Sequence, residues 1–149
     1  MSESQKDMRQ AFWSRPGTFG IVGSFESEKT LSWRILAQCQ KDGIPVAPVN
    51  AEVAEVLGIK SVASPDQIAD LAGIVCVRLD PHATASVEQA AALGVPVWLS
   101  QRTGSESARA AATRTGAEVI DGSCPLMYLP GIDSYHTFHR FMAKTFGAF

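Results

Sequence analysis

Apolar residues fall along this chain in short unbroken runs that alternate with longer amphipathic stretches. The first run, residues 19–22 (Phe-Gly-Ile-Val), has little in-and-out alternation, as expected of a strand covered on both faces. Similar runs at residues 45–49, 73–79, 95–99 and 117–120 predict four more strands. Between them, residues 31–41 carry Leu31, Ile35, Leu36 and Cys39 on one helical stripe. Residues 83–93, rich in alanine, and residues 105–115 predict two more helices, and Gly43, Gly94 and Gly116 stand where left-handed caps end them. Residues 51–58 are expected to form a short helix or turn, and residues 59–63 a brief extended piece. Ser64-Pro65-Asp66 has the form of a cap and first turn, predicting a short helix to Leu71. Terminal helices are predicted at about residues 6–14, ended by Arg15-Pro16-Gly17, and at about residues 133–146, where Tyr135, Phe138, Phe141, Met142 and Phe146 recur at helical spacing.

Five strands alternating with helices over short connections predict an α/β fold. The expected form is a doubly wound, five-stranded parallel sheet of Rossmann-like type, strand order 3-2-1-4-5, with helices on both faces. No internal repeat, linker or low-complexity segment divides residues 1–149, so a single domain is expected. In such sheets ligands bind outside the carboxyl ends of the strands, beside the first. That rule selects the segment from Gly23 to Ser32, together with Asn50, Arg78, Ser100 and Cys124, each at or just past a predicted strand end.

Composition narrows the function classes. With 46% hydrophobic residues in 149, the chain can bury a real core, and a formal net charge of -2 exerts no general pull on nucleic acid or anionic membrane. No apolar run approaches the roughly 18 residues of a membrane span, and residues 1–10 are polar, so a cytoplasmic location is expected. Three cysteines, odd in number and far apart, argue against a disulfide framework and a zinc knuckle.

The candidate chemistry centres on Gly23. A strand, a glycine, a polar loop and then a helix leave backbone N–H groups free at the helix N-terminus, which with the helix dipole suits an anion. Ser24 and Phe25 open the loop, Lys29 and Thr30 close it, and Ser32 and Arg34 lie in the first helical turn. Gly17, Gly20 and Gly23 are spaced by three and miss the G-x-G-x-x-G pattern, and the second strand ends in Asn50, not an acid. A neutral residue there tolerates a phosphate on the adenosine ribose, which both coenzyme A and NADP carry. Lys29, Arg34, Arg78 and Arg102 can supply phosphate contacts. Other readings stay open: Gly23 as a plain tight turn, a nicotinamide-dependent oxidoreductase or redox sensor, or an interaction protein whose pocket has decayed, as Phe25, Glu26 and Glu28 would allow. Cys124, before Pro125, is either a thiol for exchange or a small buried apolar residue. His136, His139 and Asp133 have the spacing of a metal-binding turn but read more simply as a surface turn, and the aromatic tail reads as a packing helix or a homodimer face. No nucleophilic triad, carboxylate pair or Walker loop can be placed, so no catalytic residue is predicted.

An ordered series of short motifs resembles the small single-domain CoA-binding proteins, which are similar to the N-terminal CoA-binding domain of the succinyl-CoA synthetase alpha subunit. Gly23, a loop and Ser32-Trp33-Arg34-Ile35 match their strand-Gly-loop-Ser-Tyr-Arg-Val. Val49-Asn50-Ala51 resembles their Val-Asn-Pro, Val77-Arg78 their Phe-Arg pair, and Trp98 the tryptophan of the fourth strand. Asp121-Gly122-Ser123-Cys124-Pro125 resembles Asp-Arg-Cys-Pro with one residue added. Thr30-Leu31 stands in place of Arg-Pro, and Ser100-Gln101-Arg102 in place of a Gln-x-Gly sequence. The resemblance implies that coenzyme A or an acyl-CoA binds without catalysis. Its phosphates would lie on the loop from Gly23 to Ser32, its adenine near Asn50 and Arg78, and its pantetheine arm toward Ser100 and Cys124.

Overall fold

A computed structural model describes residues 3–129. The expected helix at 133–146, with His136, His139 and the aromatic tail, lies outside the described residues. The chain begins with α1 (Glu3–Phe12), β1 (Thr18–Val22), α2 (Leu31–Lys41) and β2 (Val46–Val49). Then come β3 (Glu55–Val56), β4 (Ile59–Lys60), a 3-10 turn at Pro65–Gln67, and β5 (Leu71–Cys76). The remainder is α3 (His82–Leu93), β6 (Val97–Leu99), α4 (Glu106–Thr115), β7 (Val119–Asp121) and a 3-10 turn at Pro125–Tyr128.

The main sheet is parallel throughout, in the order β2-β1-β5-β6-β7. It is the expected doubly wound α/β sheet. In the numbering of the five expected strands the row reads 2-1-3-4-5, a similar doubly wound topology, and an isolated parallel bridge joins Val49 of β2 to Val62. The strand at residues 71–76 takes the place on the other side of β1. It is buried at five of its six positions, as a strand with neighbours on both edges and helices on both faces requires.

Successive residues of each central strand feed opposite cores. Ile21, Val75, Trp98 and Ile120 face the cluster built with Phe12, Ile35 and Leu36 of α1 and α2. Val22, Ile74, Cys76, Val97 and Leu99 face the cluster built with Ala83, Val87, Ala108 and Ala111 of α3 and α4. On the first face Phe12 sits edge-on to Trp98, ring centres 5.2 Å apart, and Trp13 donates its indole N–H to the Pro125 carbonyl at 3.0 Å.

Several local expectations change. Residues 51–58 hold no helix. β3 and β4 form an antiparallel hairpin whose two turn residues, Leu57 and Gly58, have φ of 53° and 78°, the mirror-image turn that suits a twisted hairpin. The helix expected from Pro65 to Leu71 is one 3-10 turn, and Leu71 already belongs to β5. The strand expected to reach Leu79 stops at Cys76, before Arg78. Gly94 and Gly116 are left-handed caps as expected.

Candidate functional site

The carboxyl edge of the sheet is organised by one close approach. Gly23 follows directly on β1, and a Cβ placed there would lie 2.2 Å from the Ser32 Cβ and 2.6 Å from its Oγ. Lacking that atom, Gly23 lets the first turn of α2 settle against the end of β1. Ser32 is buried and donates its hydroxyl to the Ser24 carbonyl, closing the loop on itself. Thr30 caps α2: its Oγ1 accepts from the Trp33 N–H at 3.4 Å and donates to the Ser27 carbonyl at 2.9 Å. No carboxylate lies in that first turn to compensate the positive end of the helix dipole.

Asn50 ties the second strand to this turn. Its Nδ2 donates to the Gly23 carbonyl at 2.9 Å, and its Oδ1 accepts from the Glu52 N–H at 2.8 Å. A carboxylate at this position has no N–H to give the Gly23 carbonyl, which is a structural reason for the neutral residue.

Two clefts flank the turn. The larger, about 400 Å³, is walled by Ser24, Lys29 and Ser32 on one side and by Leu79, Ser100 and Arg102 on the other. Its charged lining residues are Lys29 and Arg102, with no carboxylate among them. Glu26 and Glu28 are exposed and line neither cleft. The smaller cleft, about 210 Å³, lies between the end of β2 and α3, and Asn50, Glu52, Arg78, His82 and Gln89 reach it.

The loops opposite the glycine turn are held by their own polar contacts. Asp80 accepts from the Thr84 N–H at 2.8 Å, from the Thr84 hydroxyl at 2.7 Å and from the Ser105 hydroxyl. These bonds, first that from Ser105 and then those from Thr84, hold its carboxyl below the usual carboxylate range. Ser105 in turn caps α4 through the Ala108 N–H at 3.0 Å. Asp80 thus joins the loop after β5 to the loop after β6. Within the second loop, the buried hydroxyls of Ser100 and Thr103 pair at 2.8 Å.

The expected site residues divide by location. Ser24, Lys29, Thr30, Ser32 and Ser100 come together in the larger cleft, and Asn50 and Arg78 in the smaller, with Gly23 beneath the turn between them. Phe25 and Cys124 are not brought to either cleft. Both are buried in the core on the α1 and α2 face, because the loop folds its one large apolar side chain inward and the last loop does the same with its thiol. Burial pushes the Cys124 thiol up to about 11, only partly offset by the Leu126 and Met127 N–H groups. Arg34 lies on α2, half-buried, and lines neither cleft. Leu79 and Thr103 line the larger cleft without having been singled out by sequence. Arg78, a charge inside a supposed apolar strand, was the signal that the strand ends early and that Leu79 belongs to a loop. Thr103 had no signal, since its pairing with Ser100 is a matter of turn geometry.

The family model described as "CoA binding domain" matches residues 17–130. No curated protein matches the sequence. Among solved structures, a protein redesigned for binding superposes with TM-score 0.72 at 21% identity, covering 97% of this chain and 94% of its own. A hypothetical protein from Pyrococcus horikoshii OT3 gives TM-score 0.70 at 25% identity, covering 83% of this chain and 88% of its own. An acetyl-coenzyme A synthetase from Ca. Korarchaeum cryptofilum, described as dinucleotide-forming and solved with phosphate and ADP, gives TM-score 0.64 at 18% identity. There the match covers 78% of this chain and 27% of the synthetase.

Proposed function

The chain belongs to the CoA binding domain family, and from that premise we propose that it binds coenzyme A or an acyl-CoA reversibly, through the glycine turn at the end of β1, without acting as an enzyme. The observation that carries this is the pair of clefts at the carboxyl edge, one beginning at Ser24 and the other at Val22 and Asn50, with Lys29, Arg78 and Arg102 reaching them from three different loops. A ligand with phosphates at its middle and two unlike ends fits that plan. The diphosphate lies over the turn, against the N-terminal N–H groups of α2 and Lys29. The adenosine end takes the smaller cleft, where Arg78 meets the ribose phosphate. The pantetheine arm takes the larger cleft between Ser24 and Ser100.

A binding role is supported by the state of the thiols. Cys39, Cys76 and Cys124 are all buried, and burial is the largest cause raising each above its ordinary value. None is placed to attack a thioester or exchange with a pantetheine thiol. A nicotinamide dinucleotide is less well served, since Asn50 has both polar ends engaged by backbone and offers no carboxylate to ribose hydroxyls.

Thermal unfolding against coenzyme A, acetyl-CoA, NAD and NADP tests the proposal. Ligand at 100 times its dissociation constant adds about 2.7 kcal/mol, a rise of roughly 5–10 °C for a domain of this size. Coenzyme A and acetyl-CoA are expected to give that rise, and Arg78→Ala to weaken binding about tenfold or more through loss of a charge-assisted contact. A rise with NADP and none with coenzyme A would overturn the assignment.

A further inference from the structure

The smaller cleft holds a second donor beside Arg78. Arg78, just past β5, and His82, which opens α3, both line it, and each is half-buried. Among the described residues neither side chain has a hydrogen bond or an ion pair. The other polar side chains there are engaged. Asn50 bridges the Gly23 carbonyl and the Glu52 N–H, the Gln89 Nε2 donates to the Ser64 Oγ at 3.3 Å, and the Ser86 hydroxyl meets the Cys76 thiol. Arg78 and His82 are thus the donors of this cleft left free to hold a ligand.

The backbone brings the two close. The His82 N–H donates to the Leu79 carbonyl at 3.0 Å, so residues 79–82 form a turn with Arg78 just before it and His82 at its end. A cleft of about 210 Å³ is small enough for one phosphate group to meet both. Acids stand away from this wall. Asp80 lines neither cleft, its carboxylate being turned to Thr84 and Ser105. Glu52, which does line the cleft, is exposed and follows β2, with β1 between it and β5.

A phosphate monoester suits such a pair. It carries about 1.5–2 negative charges at pH 7 and three acceptor oxygens. An arginine fork takes two oxygens, and a histidine offers at least one ring N–H to the third in either protonation state.

We infer that His82 is a second contact, with Arg78, for the phosphate on the adenosine ribose, and that together they make the protein select coenzyme A over the same molecule lacking that phosphate. The inference rests on the proposed binding of coenzyme A with its adenosine end in the smaller cleft, and adds a residue and a selectivity. Binding is non-covalent throughout.

Isothermal titration of the full chain with coenzyme A and 3′-dephospho-coenzyme A, in buffer free of phosphate, tests it. The parent is expected to bind coenzyme A about a hundredfold tighter, about tenfold for each charge-assisted contact. Alanine is the best helix former, so His82→Ala should fold, and it should narrow the gap to about tenfold. His82→Arg, which returns a charged donor, should widen the gap again. An unchanged gap in His82→Ala would overturn the inference and leave the phosphate to Arg78 alone. Equal weakening of both ligands in His82→Ala would also overturn it, since a merely structural ring gives that result. Equal affinity of the parent for the two ligands would overturn it while leaving coenzyme A binding intact. If neither ligand binds, the proposed function fails and the inference with it.

Discussion

Gly23→Ala should unsettle the whole carboxyl edge, and the geometry gives the size of the effect. The added methyl would lie 2.2 Å from the Ser32 Cβ, where carbon atoms ordinarily keep about 3.5–4.0 Å. A Cβ is fixed by the backbone, so Ser32 cannot rotate out of the way; the first turn of α2 must move by more than an ångström. Overpacking of this kind costs about 1–3 kcal/mol, and loss of the Ser32–Ser24 hydrogen bond adds about 1 kcal/mol. With a total near 3 kcal/mol, the melting temperature of a domain this size should fall by about 6–12 °C. Ser32→Gly alone should cost about 1–2 kcal/mol, from the same lost bond and a poorer helix former. If the clash is the cause, the double variant should be about as stable as Ser32→Gly, far above the sum of the two losses. Thermal and urea unfolding followed by circular dichroism give all four corners of this cycle. A Gly23→Ala protein that melts within about 2 °C of the parent, or a double variant as unstable as the sum, would refute the account.

Three further outcomes can be checked independently. Thr103→Val leaves the buried Ser100 hydroxyl without its 2.8 Å partner and should cost about 1–3 kcal/mol in urea unfolding, whereas Ser100→Ala together with Thr103→Val should cost less than the two singles summed. The Cys124 thiol stays protonated in the folded state until about pH 11, while the unfolded chain ionises from its ordinary value near 9.0. The unfolded state therefore binds fewer protons between these limits, so stability should be full below pH 9 and decline toward pH 11, by about 2–3 kcal/mol from this group, and Cys124→Ala should flatten the decline in guanidinium melts. Asp80 runs in the other direction: its carboxyl is held below its ordinary value of 3.8 by Ser105 and Thr84, so the stability it contributes is present above that pH and lost below it. Melting curves from pH 5 to pH 2.5 should be less steep for Asp80→Asn than for the parent, and equal steepness would refute the role given to the Asp80 bonds.

Much of the site was legible because its residues occupy strand ends, and strand ends can be read from where apolar runs stop. Gly23, Asn50, Arg78 and Ser100 were each placed at the carboxyl edge by that rule alone, and each lies there. The rule fails for side-chain direction. Phe25 and Cys124 also follow strand ends, yet both turn into the core, because an apolar side chain in a loop goes wherever a neighbouring face has room for it. The hairpin at β3 and β4 escaped notice for a related reason: Leu57-Gly58 lacks the Asn-Gly or Asp-Gly pair that marks such turns, and pairing with the facing strand supplied what the local sequence did not.

The five parallel strands, the helices between them and the carboxyl edge that carries the candidate site thus follow from the hydrophobic pattern. Unbroken apolar runs demand burial on both faces, and few arrangements of alternating strands and helices provide it. That strand 71–76 lies beside β1, that Lys29 and Arg102 line one cleft while Glu26 and Glu28 line neither, and that Arg102 has a left-handed backbone are outcomes of packing. These depend on contacts between segments dozens of residues apart. Hydrophobic pattern states whether a position is buried, but which distant residue it meets is fixed by packing the whole chain into one close-fitting solid.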